Sequence, residues 1–303
     1  MLLILILLCW KYADGSIPVV PGRRSAEANE YPYVVSIIDR REIHRCGGSL
    51  VHQSCVLTAA VCIGGYSFYA KTFYTLDESD FKIVAGSKSM GTFTSGMGQR
   101  LIFVQKLILH PGLEMYKAGH WKNNVGLAIT EKPVRFARHI HIPEPFQRYT
   151  DVELLTMGWG RSTITWNPVE KKFDYSGQSE ELQVFKSSML DVNTCREWLC
   201  TIYAMDNCEK TDTNEFCGVT SVGNTTGVCS GDIGMPVVFN DTLWGVVSWG
   251  MPCTSSLKSK FAISDLRLVH DLKTLYPFTK SSSLLPTHAY FLFALLTAVI
   301  SYF

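Results

Sequence analysis

The chain has 303 residues, room for one large or two small domains. Twenty-eight Lys and Arg stand against twenty-seven Asp and Glu, for a net charge of +1. That balance gives no broad field for nucleic acid or an anionic membrane surface, so the expected partners are proteins or peptides.

Leu2 to Leu8 is an unbroken apolar run, followed by the small-residue stretch Ala13-Asp14-Gly15-Ser16. It is too short to span a bilayer, and residues 1–15 read as a cleaved secretory signal. Ten cysteines in a chain with such a signal, nine of them behind it, predict an oxidising compartment and disulfides. Two glycosylation sequons agree with that compartment, Asn224-Thr225-Thr226 and Asn240-Asp241-Thr242, each in a polar, turn-like stretch.

Tyr31 to Ile38 is β-branched and aromatic and predicts a strand. A longer block follows, Cys46-Gly47-Gly48-Ser49-Leu50-Val51-His52-Gln53-Ser54-Cys55-Val56-Leu57-Thr58-Ala59-Ala60-Val61-Cys62. Phe81–Ala85 and Leu101–Leu109 read as two more strands, the second closed by His110-Pro111. Next come Asn123-Asn124-Val125-Gly126-Leu127-Ala128-Ile129 and Leu155-Thr156-Met157-Gly158-Trp159-Gly160, with the polar stretch 161–178 behind them as an expected surface loop. Cys229-Ser230-Gly231-Asp232-Ile233-Gly234-Met235-Pro236 is a tight glycine-rich turn, and Trp244 to Gly250 is a further strand. From Asp265 to Leu275, Leu268, Leu272 and Leu275 recur on one face with Pro277 just beyond, which predicts a helix.

These blocks together resemble the trypsin-like serine proteases, from about Val19 to about Tyr276. In that family the first block reads CGGSLI…VLTAAHC, the second contains NDIALL, and the turn reads GDSGGP. The resemblance implies an all-β fold of two six-stranded antiparallel β-barrels with a C-terminal helix, in a domain spanning 19–276. It also implies disulfides joining Cys46 to Cys62, Cys195 to Cys217 and Cys229 to Cys253. A further family disulfide is missing in both halves, its positions holding Leu154 and Phe239. Cys200 and Cys208 are close enough in sequence to bridge, which leaves Cys55 as a buried, inert thiol in a strand.

The same resemblance locates the catalytic triad, and every member of it is changed: histidine to Val61, aspartate to Asn124 and serine to Ile233. In such a triad the aspartate-to-amide change alone lowers turnover about 10⁴-fold, and loss of serine or histidine lowers it on the order of 10⁶-fold. The expectation is a non-enzyme with no cofactor and no metal. His52, His110, His139 and His141 are imidazoles with no nucleophile in their local pattern, and the pair His139-Ile140-His141 has no third ligand at a recognisable spacing. Val19 is preceded by Ser16-Ile17-Pro18, without the basic residue at which the family is cut to free a terminus for the aspartate matching Asp232. The sequence names no substitute cation for that aspartate.

What remains is a binding apparatus. The former cleft is expected to be flanked by Gly227, Ser230, Gly231, Trp249 and Lys260, with the Trp249 strand resembling the edge that pairs with an extended peptide. The function expected is a non-catalytic binding protein, outside the cell or at its surface, engaging a protease, an inhibitor or another surface protein. A peptidase with a rearranged site and a passive adhesion or coat component are the alternatives. Finally, residues 277–303 hold the small residues Ser281-Ser282-Ser283 and the apolar run Ala289–Phe303, which resembles a glycosylphosphatidylinositol attachment signal. That implies a lipid anchor at the plasma membrane.

Overall fold

The computed structural model describes residues 23–90, 100–116, 120–143, 152–161, 164–167, 169–170, 172–175, 177–206, 214–220, 228–250 and 259–268. All of them belong to one compact unit, Met1–His270. Among the described residues there are nineteen strands: β1 (Arg23–Ser25), β2 (Val34–Asp39), β3 (His44–His52), β4 (Cys55–Thr58), β5 (Gly64–Ser67), β6 (Thr72–Thr75), β7 (Phe81–Ala85), β8 (Arg100–Leu109), β9 (Glu114–Met115) and β10 (Trp121–Lys122) in the first half. The second half holds β11 (Gly126–Thr130), β12 (Glu153–Gly158), β13 (Ile164–Asn167), β14 (Lys172–Tyr175), β15 (Gln183–Met189), β16 (Glu215–Val219), β17 (Pro236–Phe239), β18 (Thr242–Gly250) and β19 (Lys260–Asp265). Two helices join them, α1 (Ala60–Ile63) and α2 (Val192–Ile202).

Six strands close the first barrel in the order β11-β4-β3-β2-β7-β8. The second is β15-β12-β17-β18-β19-β16, closed by the β15–β16 pairing and extended by β1 on β15. All these pairings are antiparallel, so the two six-stranded barrels expected from the sequence are both present. Closure leaves few free strand edges, which is how an all-β chain of this size avoids pairing with its neighbours.

The alternation that makes a barrel wall is plain in β8, where Ile102 and Val104 are buried while Leu101 and Phe103 face outward. Ile37, Leu50, Val56 and Ile83 fill the first barrel, and Leu154, Phe185, Val237, Trp244 and Phe261 fill the second. Leu154 and the half-buried Phe239 pack in this second core, so two apolar side chains occupy the place of the missing disulfide. Cys46–Cys62 and Cys195–Cys217 are bonded, and Cys55 is a buried free thiol whose pKa burial pushes up. Cys200 and Cys229 are also disulfide-bonded, while Cys208 and Cys253 lie outside the described residues.

Three expectations need correction. The strand expected from Tyr31 begins at Val34, because Val34 N–H donates to the Tyr31 carbonyl and closes a turn there. The stretch 161–178 is a β-hairpin rather than a plain loop: β13 pairs with β14, and Arg161 and Gln178 bridge at its base. The helix expected from Asp265 does not start there, since Asp265 ends β19 and Leu268 N–H donates to its carbonyl across a turn. Residues 269–275 of that helix lie outside the described residues, as do the signal stretch and the tail. Among the described residues no helix is long and apolar enough to cross a membrane.

Candidate functional site

The cleft lies where the barrels meet. Ile233, on the turn between Cys229 and Pro236, is the residue that touches both, packing against the first-barrel core on one side and the second on the other. Its carbonyl accepts from Gly47 N–H at 2.8 Å, tying the turn to β3. The turn is possible because Gly234 sits at φ +80°, where a Cβ would overlap the Thr58 hydroxyl and the Gly47 carbonyl. Gly231, at φ +95°, bends the other end. Among the described residues the N–H groups of Ser230, Gly231 and Ile233 donate to no acceptor.

The residues expected at the other two triad positions, Val61 and Asn124, are hydrogen-bonded to each other. Val61 sits on α1 with 43% of its surface exposed. Its N–H donates at 2.9 Å to Asn124 Oδ1. The Asn124 Nδ2 then donates to the Ser248 carbonyl at 3.2 Å and lies 3.1 Å from the Ser248 hydroxyl. A carboxamide suits this position because one end must accept and the other must donate; a carboxylate has only acceptors. Asn124 therefore pins α1 to β18 as a structural bracket.

Asp232 is fully buried, and its partner is a residue the sequence reading did not single out. Arg23 Nη2 donates to Asp232 Oδ2 at 2.8 Å, with 1% and 0% of the two side chains exposed. Cys229 N–H donates to the same oxygen at 2.8 Å. Gly160 closes over the carboxylate, and any Cβ there would overlap it. Nothing local in the Arg23 sequence signals this, since the pair is 209 residues apart.

His44 was also missed. Its Nε2 lies 2.8 Å from the Gly231 carbonyl, which only accepts, so that nitrogen carries the proton. Nδ1 then accepts from the Ser36 hydroxyl at 2.6 Å. Burial holds the His44 pKa below its ordinary value. A serine bonded to a neutral imidazole has the form of a nucleophile and its base, but Ser36 is 0% exposed and His44 4%, so no substrate carbonyl reaches them. Their geometry braces the turn instead.

The cleft wall is aromatic. Trp249 stacks on Trp198 at 5.2 Å between centroids, and His120 lies 4.5 Å from Trp249 and 4.9 Å from Tyr203. Tyr116 stacks on Tyr203 at 4.6 Å. The Tyr203 hydroxyl accepts from Trp249 Nε1 and donates to Glu215 Oε2, both at 2.7 Å. Glu215 is thus a carboxyl beneath an apolar wall, and burial pushes its pKa up to about 7. Of the other residues expected here, Ser230 is exposed and Lys260 is half-buried at the start of β19. Gly227 and Asn224 lie outside the described residues, and Asn240 is exposed in the tight β17–β18 turn. The structure does bring His52 to within 6.5 Å of the His139 ring, itself 5.9 Å from His141, yet among the described residues no group of three ligands could hold a metal.

The barrel pair, the interbarrel turn and the bracket at Asn124 can now be set beside known proteins. The family described as Trypsin matches residues 20–265. The chain belongs to the trypsin family. It is similar to a trypsin of Phaedon cochleariae, 31% identical over 239 residues that cover 77% of this chain and 78% of the relative. Similarity to Trypsin Blo t 3 of Blomia tropicalis is 29% over 251 residues, covering 81% and 80%. Mannan-binding lectin serine protease 1 of Mus musculus is 26% identical over 257 residues, which are 80% of this chain and 33% of that relative. In this chain the site holds Val61, Asn124 and Ile233 beside the internal Arg23–Asp232 pair.

Proposed function

We propose that this trypsin-family chain is a catalytically silent binding protein of the extracellular space that takes an extended protein or peptide segment along β18. One observation carries the reading: the cleft framework is kept while no side chain at its three triad positions can attack a carbonyl or accept a proton. Val61 and Ile233 are hydrocarbon, and both ends of the Asn124 amide are already bonded. β17 pairs with β18 only as far as Val246, so among the described residues Trp249 and Gly250 have a strand partner on the β19 side alone. An incoming strand would add main-chain hydrogen bonds to that edge and set a side chain on Trp249 and Trp198. Ser36 and His44, a bonded serine–imidazole pair among the described residues, are buried and give no support to a rearranged peptidase. We read residues 1–15 and 277–303 as secretory and lipid-attachment signals, in keeping with a partner at the cell surface.

The test begins with affinity capture from extracellular fluid and cell surfaces to name a partner. Trp249→Ala and Lys260→Glu are then compared with a version in which 164–175 is replaced by a short Gly-Ser link, each checked for folding. The cleft reading expects Trp249→Ala to weaken binding by roughly thirtyfold, as for an aromatic anchor. Unchanged affinity in both cleft variants, with loss only on removing the hairpin, would show that the cleft is not the binding surface.

A further inference from the structure

We infer that Arg23 is the built-in cation of the Cys229–Gly234 turn, so that the cleft is set in the uncut chain and is not gated by any cleavage ahead of Val19. The inference stands apart from what the cleft binds. β1 delivers the side chain: Arg23 pairs opposite Phe185, Arg24 opposite Val184 and Ser25 opposite Gln183 on β15. Successive strand residues face opposite ways, which splits the two arginines. Arg24 points outward to Glu30, with Nη1 2.8 Å from Oε2. Arg23 points inward, its guanidinium 4.8 Å from the Phe185 ring centroid and 2.8 Å from the Asp232 carboxylate.

Three features make this pair a fixture. A buried carboxylate needs a partner, and this one shares its bonded oxygen between Arg23 and the Cys229 N–H. The Gly160 backbone covers the remaining side so closely that not even a methyl group fits. An ammonium arriving from elsewhere would have to displace a guanidinium already fixed by strand pairing and an aromatic face. The turn is further held by His44 on the Gly231 carbonyl and by Gly47 on the Ile233 carbonyl, neither of which depends on a chain terminus.

The test uses the full chain with a site-specific protease sequence placed immediately before Val19. Hydrogen exchange of the 228–235 amides, the thermal midpoint and the reactivity of the new Val19 α-amino group are measured before and after cutting. We expect exchange and midpoint to stay the same and the amine to react as freely as in the unfolded chain. Arg23→Met in the uncut chain is expected to speed exchange of these amides by roughly a hundredfold, because it leaves a buried charge alone. Adding Asp232→Asn to it should recover much of that loss. An amine that becomes unreactive with slower exchange after cutting would overturn the inference, as would an Arg23→Met chain that exchanges like the parent. If Arg23→Met does not fold, the double variant decides: recovery of folding supports the pair, and equal failure refutes it.

Discussion

Ile233 does at the residue scale what no serine at that position can: it joins two apolar cores across the cleft. Ile233→Ser is therefore expected to lower the unfolding free energy by about 1–3 kcal/mol in denaturant titration, through lost burial and an underpacked contact. It should give no turnover of ester or amide substrates, since Val61 supplies no base. Glu215 carries a pH signature. Its folded pKa of about 7 is above the ordinary 4.5, so its contribution is fully present below 4.5 and lost as the pH rises through 7. Glu215→Gln should flatten that fall, by on the order of 3 kcal/mol at most, when stability is measured across the interval. The sequence singled out Val61, Asn124 and Ile233 through the cysteines and glycines of the family motifs around them. Arg23 and His44 were passed over because what makes each matter is burial against a turn 209 and 187 residues along the chain; Glu215 was passed over because its carboxyl matters only once folding sets the Tyr203 hydroxyl on it.

Some elements followed from pattern: β2, β7 and β8 came from β-branched and aromatic runs, while β18 and the block from Cys46 to Cys62 came from the family resemblance. The hairpin β13–β14 went unread although Ile164 and Trp166, and Phe173 and Tyr175, alternate with polar residues; its base is held by Gln178, whose Nε2 donates to the His44 carbonyl at 2.6 Å. Helix α2 shows the same case, a local signal that went unread. Asp191 caps it by accepting from the N–H groups of Asn193 and Thr194, and Cys195 and Leu199 turn one face into the protein four residues apart. Asp191→Ala is expected to cost about 0.5–2 kcal/mol by thermal or chemical unfolding and to leave the Cys195–Cys217 bond intact. A larger loss would mean that the cap also holds the Trp198 side of the cleft wall.

For the whole molecule, two barrels follow from the family motifs, and their closure sets Ile233 against both cores. What the sequence leaves open is how a buried Asp232 is neutralised, which is a property of packing between β1 and the interbarrel turn. The central claim is that this cleft is complete as a framework and silent as a catalyst. Its most direct measurement is intact-mass analysis of the purified chain after saturating exposure to a fluorophosphonate, with peptide mapping of any adduct. The account expects no mass increase. A stoichiometric adduct on a single cleft residue, with loss of labelling when that residue is replaced, would contradict it.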